Sequence, residues 1–168
     1  MRRILIVLLF IMPVALSFSL YFLDKEYLLC PIEYRYDAVI RSDSRGDGEF
    51  AAKRNGNRIH EGVDLLAETG TPVRAARSGI VIVSRVIENK NKRRGSGNYI
   101  IIGHPGGITT TYAHLSEVYV GKNRFIRQGE IIGRVGKTGN ANYPDIRAHL
   151  HFEVKEGGVA RDPLEYFK

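Results

Sequence analysis

The stretch Ala148-His149-Leu150-His151-Phe152-Glu153-Val154 constrains the fold more than any other part of the chain. Apolar and polar residues alternate in it with period two. Leu150, Phe152 and Val154 point one way, and His149, His151, Glu153 and Lys155 the other, the pattern of a half-buried strand. A helix would set His149 and His151 roughly 200° apart. A strand sets them on one face, roughly 6.5 Å apart along the chain. Two imidazoles at that spacing can share one site, one as a metal ligand and one as an acid/base group. A surface strand with two solvated histidines has the same pattern, so the choice rests on the rest of the chain.

The remainder favours an all-β domain. Gly is abundant at 18 residues, helix-length periodic segments are scarce, and short Val/Ile/Tyr-rich runs are many. The single cysteine, Cys30, excludes an internal disulfide and a four-cysteine zinc site. A formal net charge of +7 suits an anionic partner such as nucleic acid, a membrane surface or an acidic cell envelope, without choosing among them.

Arg2 and Arg3 precede residues 4–23, a run without a charged residue that has the ~20-residue length of a bilayer-spanning helix. The arginines are expected to stay in the cytoplasm, which places the rest of the chain outside it. A cleavable signal peptide is the competing reading, with Ala15-Leu16-Ser17 as a small-x-small site after Pro13. A lipid anchor on Cys30 is disfavoured by Leu29, where such sites carry a small side chain. All these readings export the domain, to the periplasm or cell envelope. The expected organisation is a membrane anchor or signal peptide over 1–23, a tether and lead-in over 24–49, and one domain over 50–168.

Within 42–48 the Arg45-Gly46-Asp47 tripeptide reads as turn residues and not as an adhesion signal. Strands are expected at 63–66, 79–87, 98–102, 108–113 and 125–135, the last broken by Gly129 and Gly133. A basic loop over 88–97 carries Lys90, Lys92, Arg93 and Arg94 and is read as a hairpin tip. Residues 162–167 close the chain as a short helical turn.

His60-Glu61-Gly62-Val63-Asp64 invites comparison with the helical H-E-x-x-H zinc motif. Gly62 and the β-branched Val63 weaken a helix, and Gly70 and Pro72 would end it almost at once. A straight strand would hold residues i and i+4 roughly 13 Å apart, too far to share an ion. A bend at Gly62 can bring them together, with His60 ending a loop, Asp64 on the strand after it, and Glu61 exposed. Tyr112-Ala113-His114 places another histidine at the end of a Thr/Tyr-rich strand. His104, in a Pro-Gly-Gly turn, reads as an ordinary loop residue.

These pieces resemble the lysostaphin-type (LytM-like) zinc metallopeptidases, peptidoglycan endopeptidases with the pattern H-x-x-x-D, Y-x-H and H-x-H. The likeness covers 50–168 and extends to Gly70-Thr71-Pro72-Val73-Arg74-Ala75-Ala76, Gly97-Asn98-Tyr99-Ile100-Ile101-Ile102 and Gly129-Glu130-Ile131-Ile132-Gly133. The resemblance implies an antiparallel β-sandwich with a groove that holds one Zn2+ per chain. It implies His60, Asp64 and His151 as ligands, and His114 and His149 as an unligated pair beside the water position, either of them the base. Two imidazoles and a carboxylate leave one tetrahedral position for water, as in catalytic zinc sites. The sequence departs from the pattern over 140–148, which is longer than usual and has Ala148 where a Pro often precedes the H-x-H. That segment is expected to border the groove.

The function implied is hydrolysis of peptide cross-links or bridges of bacterial peptidoglycan. Relatives without their ligands serve instead as binding modules that activate cell-wall amidases, and an envelope protease acting on proteins is a third reading. Peptidoglycan peptides and the cytoplasmic membrane are the expected partners, and nucleic acid is not.

Overall fold

Thirteen short strands and two 3-10 turns carry the described residues, with no α-helix among them. The strands are β1 (Ser42–Asp43), β2 (Gly46–Asp47), β3 (Lys53–Arg54), β4 (Arg58–Ile59), β5 (Val63–Leu66), β6 (Pro72–Arg74), β7 (Gly79–Arg85), β8 (Asn98–Gly103), β9 (Ile108–Val118), β10 (Phe125–Ile126), β11 (Ile131–Val135), β12 (His149–Glu156) and β13 (Val159–Arg161). The structure is a computed structural model that describes residues 24, 27–35, 37–54, 57–87, 93 and 95–167. The uncharged run 4–23, with its expected N-terminal hydrophobic helix, lies outside them, as do Lys90, Lys92 and Arg94. Among the described residues no helix is long and apolar enough to cross a membrane.

The all-β, antiparallel architecture is the one expected. Strands β5 to β13 form one nine-stranded sheet, and β1–β2 and β3–β4 are separate hairpins. The period-two alternation of β12 translates directly into burial. Leu150, Phe152 and Val154 are 0% exposed, each removal from water contributing about 1.5–3 kcal/mol. They join Val63, Leu65, Ile100, Ile102, Tyr112 and Ile132 in the core, where the Phe152 ring lies 5.2 Å from Tyr112 and 5.7 Å from Phe167.

The sheet branches at β9. Over residues 108–113 β9 pairs with β12, and from Leu115 to Val118 it pairs with β11. His114 is the residue between the two partners, and its φ of 63° lies in the left-handed region. A non-glycine residue held there stores strain, a feature that clusters at functional sites. The kink falls where β9 exchanges one partner for the other.

Three local expectations are revised. Residues 125–135 break at Gly129 (φ 79°) as expected, separating β10 from β11, but not at Gly133, which lies within β11. His104 is a buried structural residue, with Nδ1 2.9 Å from the Ser78 carbonyl and Nε2 2.7 Å from Thr110 Oγ1. Thr110 in turn donates to Tyr112 Oη at 3.0 Å, so the imidazole ends a buried polar chain. Its pKa is lowered, chiefly by burial. The lead-in is packed against the body. Leu28 and Ile32 are core residues, Leu28 bridges to Phe167, and Ile40 bridges to Leu65 of β5. At the C-terminus the expected helical turn is a 3-10 turn over Pro163–Tyr166, with Asp162 accepting from the Leu164 amide.

Candidate metal centre and catalytic groove

Strand register assembles the first pair of site residues. In the antiparallel pairing of β12 with β5, His151 stands directly opposite Asp64, so their side chains share a face. His151 Nδ1 reaches Asp64 Oδ1 at 2.9 Å. His60 comes from the loop before β5, and the chain bends at Gly62. A Cβ at Gly62 would lie 2.3 Å from the Phe152 carbonyl oxygen, so only glycine lets the backbone run this close to β12. The bend turns His60 back over Asp64, with Nε2 3.1 Å from Oδ1 and 2.9 Å from His151 Nδ1. Glu61 points outward and pairs with Lys155 at 2.6 Å.

The outer partners of these rings fix their tautomers. His60 Nδ1 lies 2.7 Å from the Glu49 carbonyl, which can only accept, so this nitrogen carries the hydrogen. His151 Nε2 lies 2.9 Å from a Glu153 carboxylate oxygen and donates to it. The lone pairs therefore sit on His60 Nε2 and His151 Nδ1, and both converge with Asp64 Oδ1. Two lone pairs and a carboxylate oxygen at this separation repel unless a cation or a proton lies among them. In the neutral tautomers the donor set is two imidazole nitrogens and one carboxylate oxygen, with an outer partner on each ring, which suits a catalytic zinc. With a proton in that place, His151 is pushed up to about 9. Burial opposes the shift, and the hydrogen bonds and charges of Asp64 and Glu153 outweigh it. Burial opposes the ionisation of Asp64, but the contacts of His151 and His60 at Oδ1 and the charge of His151 outweigh it and hold Asp64 well below the usual carboxylate range.

The other two histidines face the same point without joining the triad. The ring of His114 lies 5.1 Å from that of His149, edge-on, and 5.8 Å from that of His151. His114 Nδ1 donates to the Thr138 carbonyl at 2.9 Å, and His149 Nδ1 to the Arg147 carbonyl at 2.7 Å. Each thus keeps an acceptor lone pair on Nε2, and His149 Nε2 is 3.8 Å from Asp64 Oδ1. Burial lowers the pKa of both, and for His114 the neighbouring His149 and His151 lower it further. The five predicted residues thus come together on the wall of one groove of about 620 Å³. Asn140, Ala141, Tyr143 and Ile146 border it, as expected for that segment.

Around Asp64 lies a further layer of partners that no sequence pattern marks. Arg41 is 4% exposed, and its Nε and Nη2 donate to Asp64 Oδ2 at 3.3 and 3.0 Å. Its Nη1 pairs with Asp43 Oδ1, while Asp43 Oδ2 accepts from the Arg147 amide at 3.1 Å. Arg54 adds a third guanidinium bond to Asp64 Oδ2, at 2.9 Å. The backbone repeats the embrace, since Arg41 donates to the Asp64 carbonyl and Asp64 to the Gly48 carbonyl, both at 2.8 Å. Glu153 was within reach of sequence reading, because it shares the groove face of β12 with His151. Arg41 was not, because its contact spans 23 residues without a period.

An all-β fold and a groove with a His/His/Asp donor set and two further imidazoles suit a peptidase. The model of Peptidase family M23 matches residues 58–163, and the chain belongs to that family. It is 38% identical over 107 residues to the DD-carboxypeptidase/endopeptidase Mpg of Neisseria meningitidis serogroup B, a match covering 64% of this chain and 22% of Mpg. It is 34% identical over 146 residues to the peptidoglycan DD-endopeptidase ShyC of Vibrio cholerae, covering 84% of this chain and 29% of ShyC. A crystal structure of a zinc-containing peptidase from Vibrio cholerae superposes with a TM-score of 0.66 at 29% identity, over 83% of this chain and 40% of that one. The chain thus spans well under half the length of these proteins.

Proposed function

We propose that this chain is a zinc-dependent endopeptidase that hydrolyses peptide cross-links or bridges of bacterial peptidoglycan. The observation that carries the reading is the convergence of His60 Nε2, Asp64 Oδ1 and His151 Nδ1 beside two imidazoles with open Nε2 lone pairs. The names of Mpg and ShyC support the substrate class, and the zinc-containing peptidase supports the metal. His60, Asp64 and His151 would hold one Zn2+, which supplies Lewis acidity and lowers the pKa of water in its reach.

The remaining steps fall to the chain's own side chains. Neutral His114 and His149 can each accept a proton from the attacking water at Nε2. The imidazolium so formed donates to the oxyanion or to the leaving amine. The Thr138 and Arg147 carbonyls hold both rings in the accepting tautomer. Glu153 and the Glu49 carbonyl orient the two ligand rings.

The proposed peptidase domain is 50–168, with 24–49 as lead-in and 1–23 as a membrane anchor or signal peptide. The domain then works outside the cytoplasm, in the periplasm or cell envelope. Leu28, two residues before Cys30, is 3% exposed in the core, which argues against a mature chain that starts at Cys30. A reporter fused after Lys168 is expected to be active only beyond the cytoplasmic membrane; a cytoplasmic signal would overturn this placement. For the activity, purified sacculi are digested with the zinc-loaded protein and the fragments identified by mass spectrometry. Cleaved peptide cross-links or bridges are expected. Intact sacculi across several bridge types, with stimulation of an added amidase, would replace the enzyme by an activating module.

A further inference from the structure

The proposed chemistry uses the His114 ring and the Thr138 carbonyl that holds it, but not the Thr138 hydroxyl. That hydroxyl lies where two loops cross in backbone contact. A Cβ on Gly97 would lie 2.3 Å from Thr138 Oγ1, and one on Gly139 would lie 2.3 Å from both the Gly95 carbonyl oxygen and the Gly97 nitrogen. Only glycine permits an approach this close. Across the same crossing the Asn140 amide donates to the Gly95 carbonyl at 2.9 Å.

The crossing grips the kink of β9. Between β8 and β9, Asn98 pairs with Leu115, and the next pair is Ile100 with Tyr112. Ala113 and His114 therefore stand together against Tyr99 alone, which is a β-bulge. Thr138 Oγ1 stands between the strands at its end. It accepts from the Asn98 amide and donates to the Leu115 carbonyl, both at 2.9 Å. A hydroxyl can do both at once, and a methyl group can do neither. The buried Asn98 side chain gives the same carbonyl a second donor, at 2.9 Å. His114 itself is tied at its backbone and its ring. Its amide donates to the Ser96 carbonyl at 3.0 Å, and its Nδ1 to the Thr138 carbonyl at 2.9 Å. A non-glycine residue persists in the left-handed region only where its surroundings over-determine it.

We infer that Thr138 is a positioning residue for the proposed hydrolysis: its hydroxyl fixes the β9 bulge, and through it the aim of the His114 Nε2 lone pair into the groove. The inference rests on the peptidase reading and deepens it. The hydrogen bonds of Thr138 go to His114, Leu115 and Asn98 and not to His60, Asp64 or His151, so it acts on an acid/base group and not on the metal. His149 donates instead to the Arg147 carbonyl, two residues away in the chain. A change at Thr138 therefore reaches one imidazole of the pair.

The test uses the full zinc-loaded chain, cross-linked muropeptides and Thr138→Val, which keeps the shape of the side chain without its hydroxyl. Thr138→Ala takes its place if the valine variant does not fold. The kcat is expected to fall at least about tenfold, toward the ~10²-fold that a misaimed group can cost, with KM within about twofold of the wild type and zinc content unchanged. Thr138→Ser, which keeps the hydroxyl, is expected to stay within about twofold of the wild type. In a His114→Ala background, removal of the hydroxyl is expected to change kcat by less than about twofold, because the two residues act as one unit. A second readout needs no turnover. Long-range proton–nitrogen NMR spectra of isotope-labelled histidine, with the His114 signal assigned by its loss in His114→Ala, are expected to show one tautomer in the wild type and Thr138→Ser, with the hydrogen on Nδ1. The hydroxyl-free variant is expected to show a mixture of tautomers. Wild-type kcat without the hydroxyl overturns the proposal, as does an equally large loss in the absence of His114. If the wild type cleaves neither muropeptides nor sacculi, the peptidase reading fails by itself and the spectra decide the role of Thr138. An unchanged His114 signal then overturns it, and a shifted tautomer balance upholds it.

Discussion

Asp64 is approached from two sides by parts of the chain that differ in kind. From the family-matched body, His60 and His151 bring nitrogen lone pairs to Oδ1. From the chain ahead of that body, Arg41 and Arg54 bring guanidinium N–H groups to Oδ2. The body supplies the donors that can take a cation, and the leading segment supplies the guanidinium hydrogen bonds that orient Asp64 from its other oxygen. Removing donors and removing their support should therefore fail differently, the first by losing the metal outright and the second by weakening its hold.

The largest effect is expected from the donors. Asp64→Ala or His151→Ala should reduce zinc from about one per chain to background by elemental analysis, and activity with it. Full occupancy in both variants would remove these residues from the ligand set. Next come His114→Ala and His149→Ala. Each should lower kcat by about 10²-fold or more while zinc content and the unfolding transition stay near wild type. Burial keeps both imidazoles neutral below the ordinary histidine pKa. The neutral form is the one that accepts a proton, so activity should persist under mildly acidic conditions and fall only as these groups protonate. One limb of the pH profile should vanish in the variant that lacks its base. The buried His104, altered to Ala, should lower stability without a change in the pH profile.

The leading segment gives intermediate and small effects. Arg41→Met leaves Asp43 and part of Asp64 buried without their cation, at a cost of about 3–5 kcal/mol in denaturant unfolding. Zinc affinity should weaken about 10–100-fold, as for other outer-layer partners of metal ligands. If Arg41→Met unfolds and binds zinc like the wild type, the leading segment is only a covering and the comparison above collapses. The smallest effect belongs to Arg45, whose pairing with Asp145 at 2.6 Å is about half exposed. Arg45→Ala should leave the denaturant unfolding transition near that of the wild type, the ordinary outcome for an exposed ion pair.

The difference between the two regions also explains what could be read in the sequence. In β12, β8 and β5 a period of two or a continuous apolar run declares the buried face, and the histidines ride on that pattern. The bend at Gly62 was legible because glycine is the residue that permits it. Arg41, Asp43 and Gly48 lie in a run of turn residues that gives no period, so 42–48 read as part of a tether. Their role comes from tertiary approach. A Cβ on Gly48 would meet Asp64 Cβ at 2.7 Å, a constraint that exists only once β5 lies beside the leading segment. The strain at His114 is likewise invisible locally, because it arises where β9 changes partners between β12 and β11.

The most direct measurement is a crystal structure of the zinc-loaded protein with data on both sides of the zinc absorption edge. The account predicts one anomalous peak per chain within about 2.0–2.2 Å of His60 Nε2, Asp64 Oδ1 and His151 Nδ1, with the Nε2 atoms of His114 and His149 outside bonding range. A peak ligated by His114 or His149, or no peak among the five residues at full zinc loading, would contradict it.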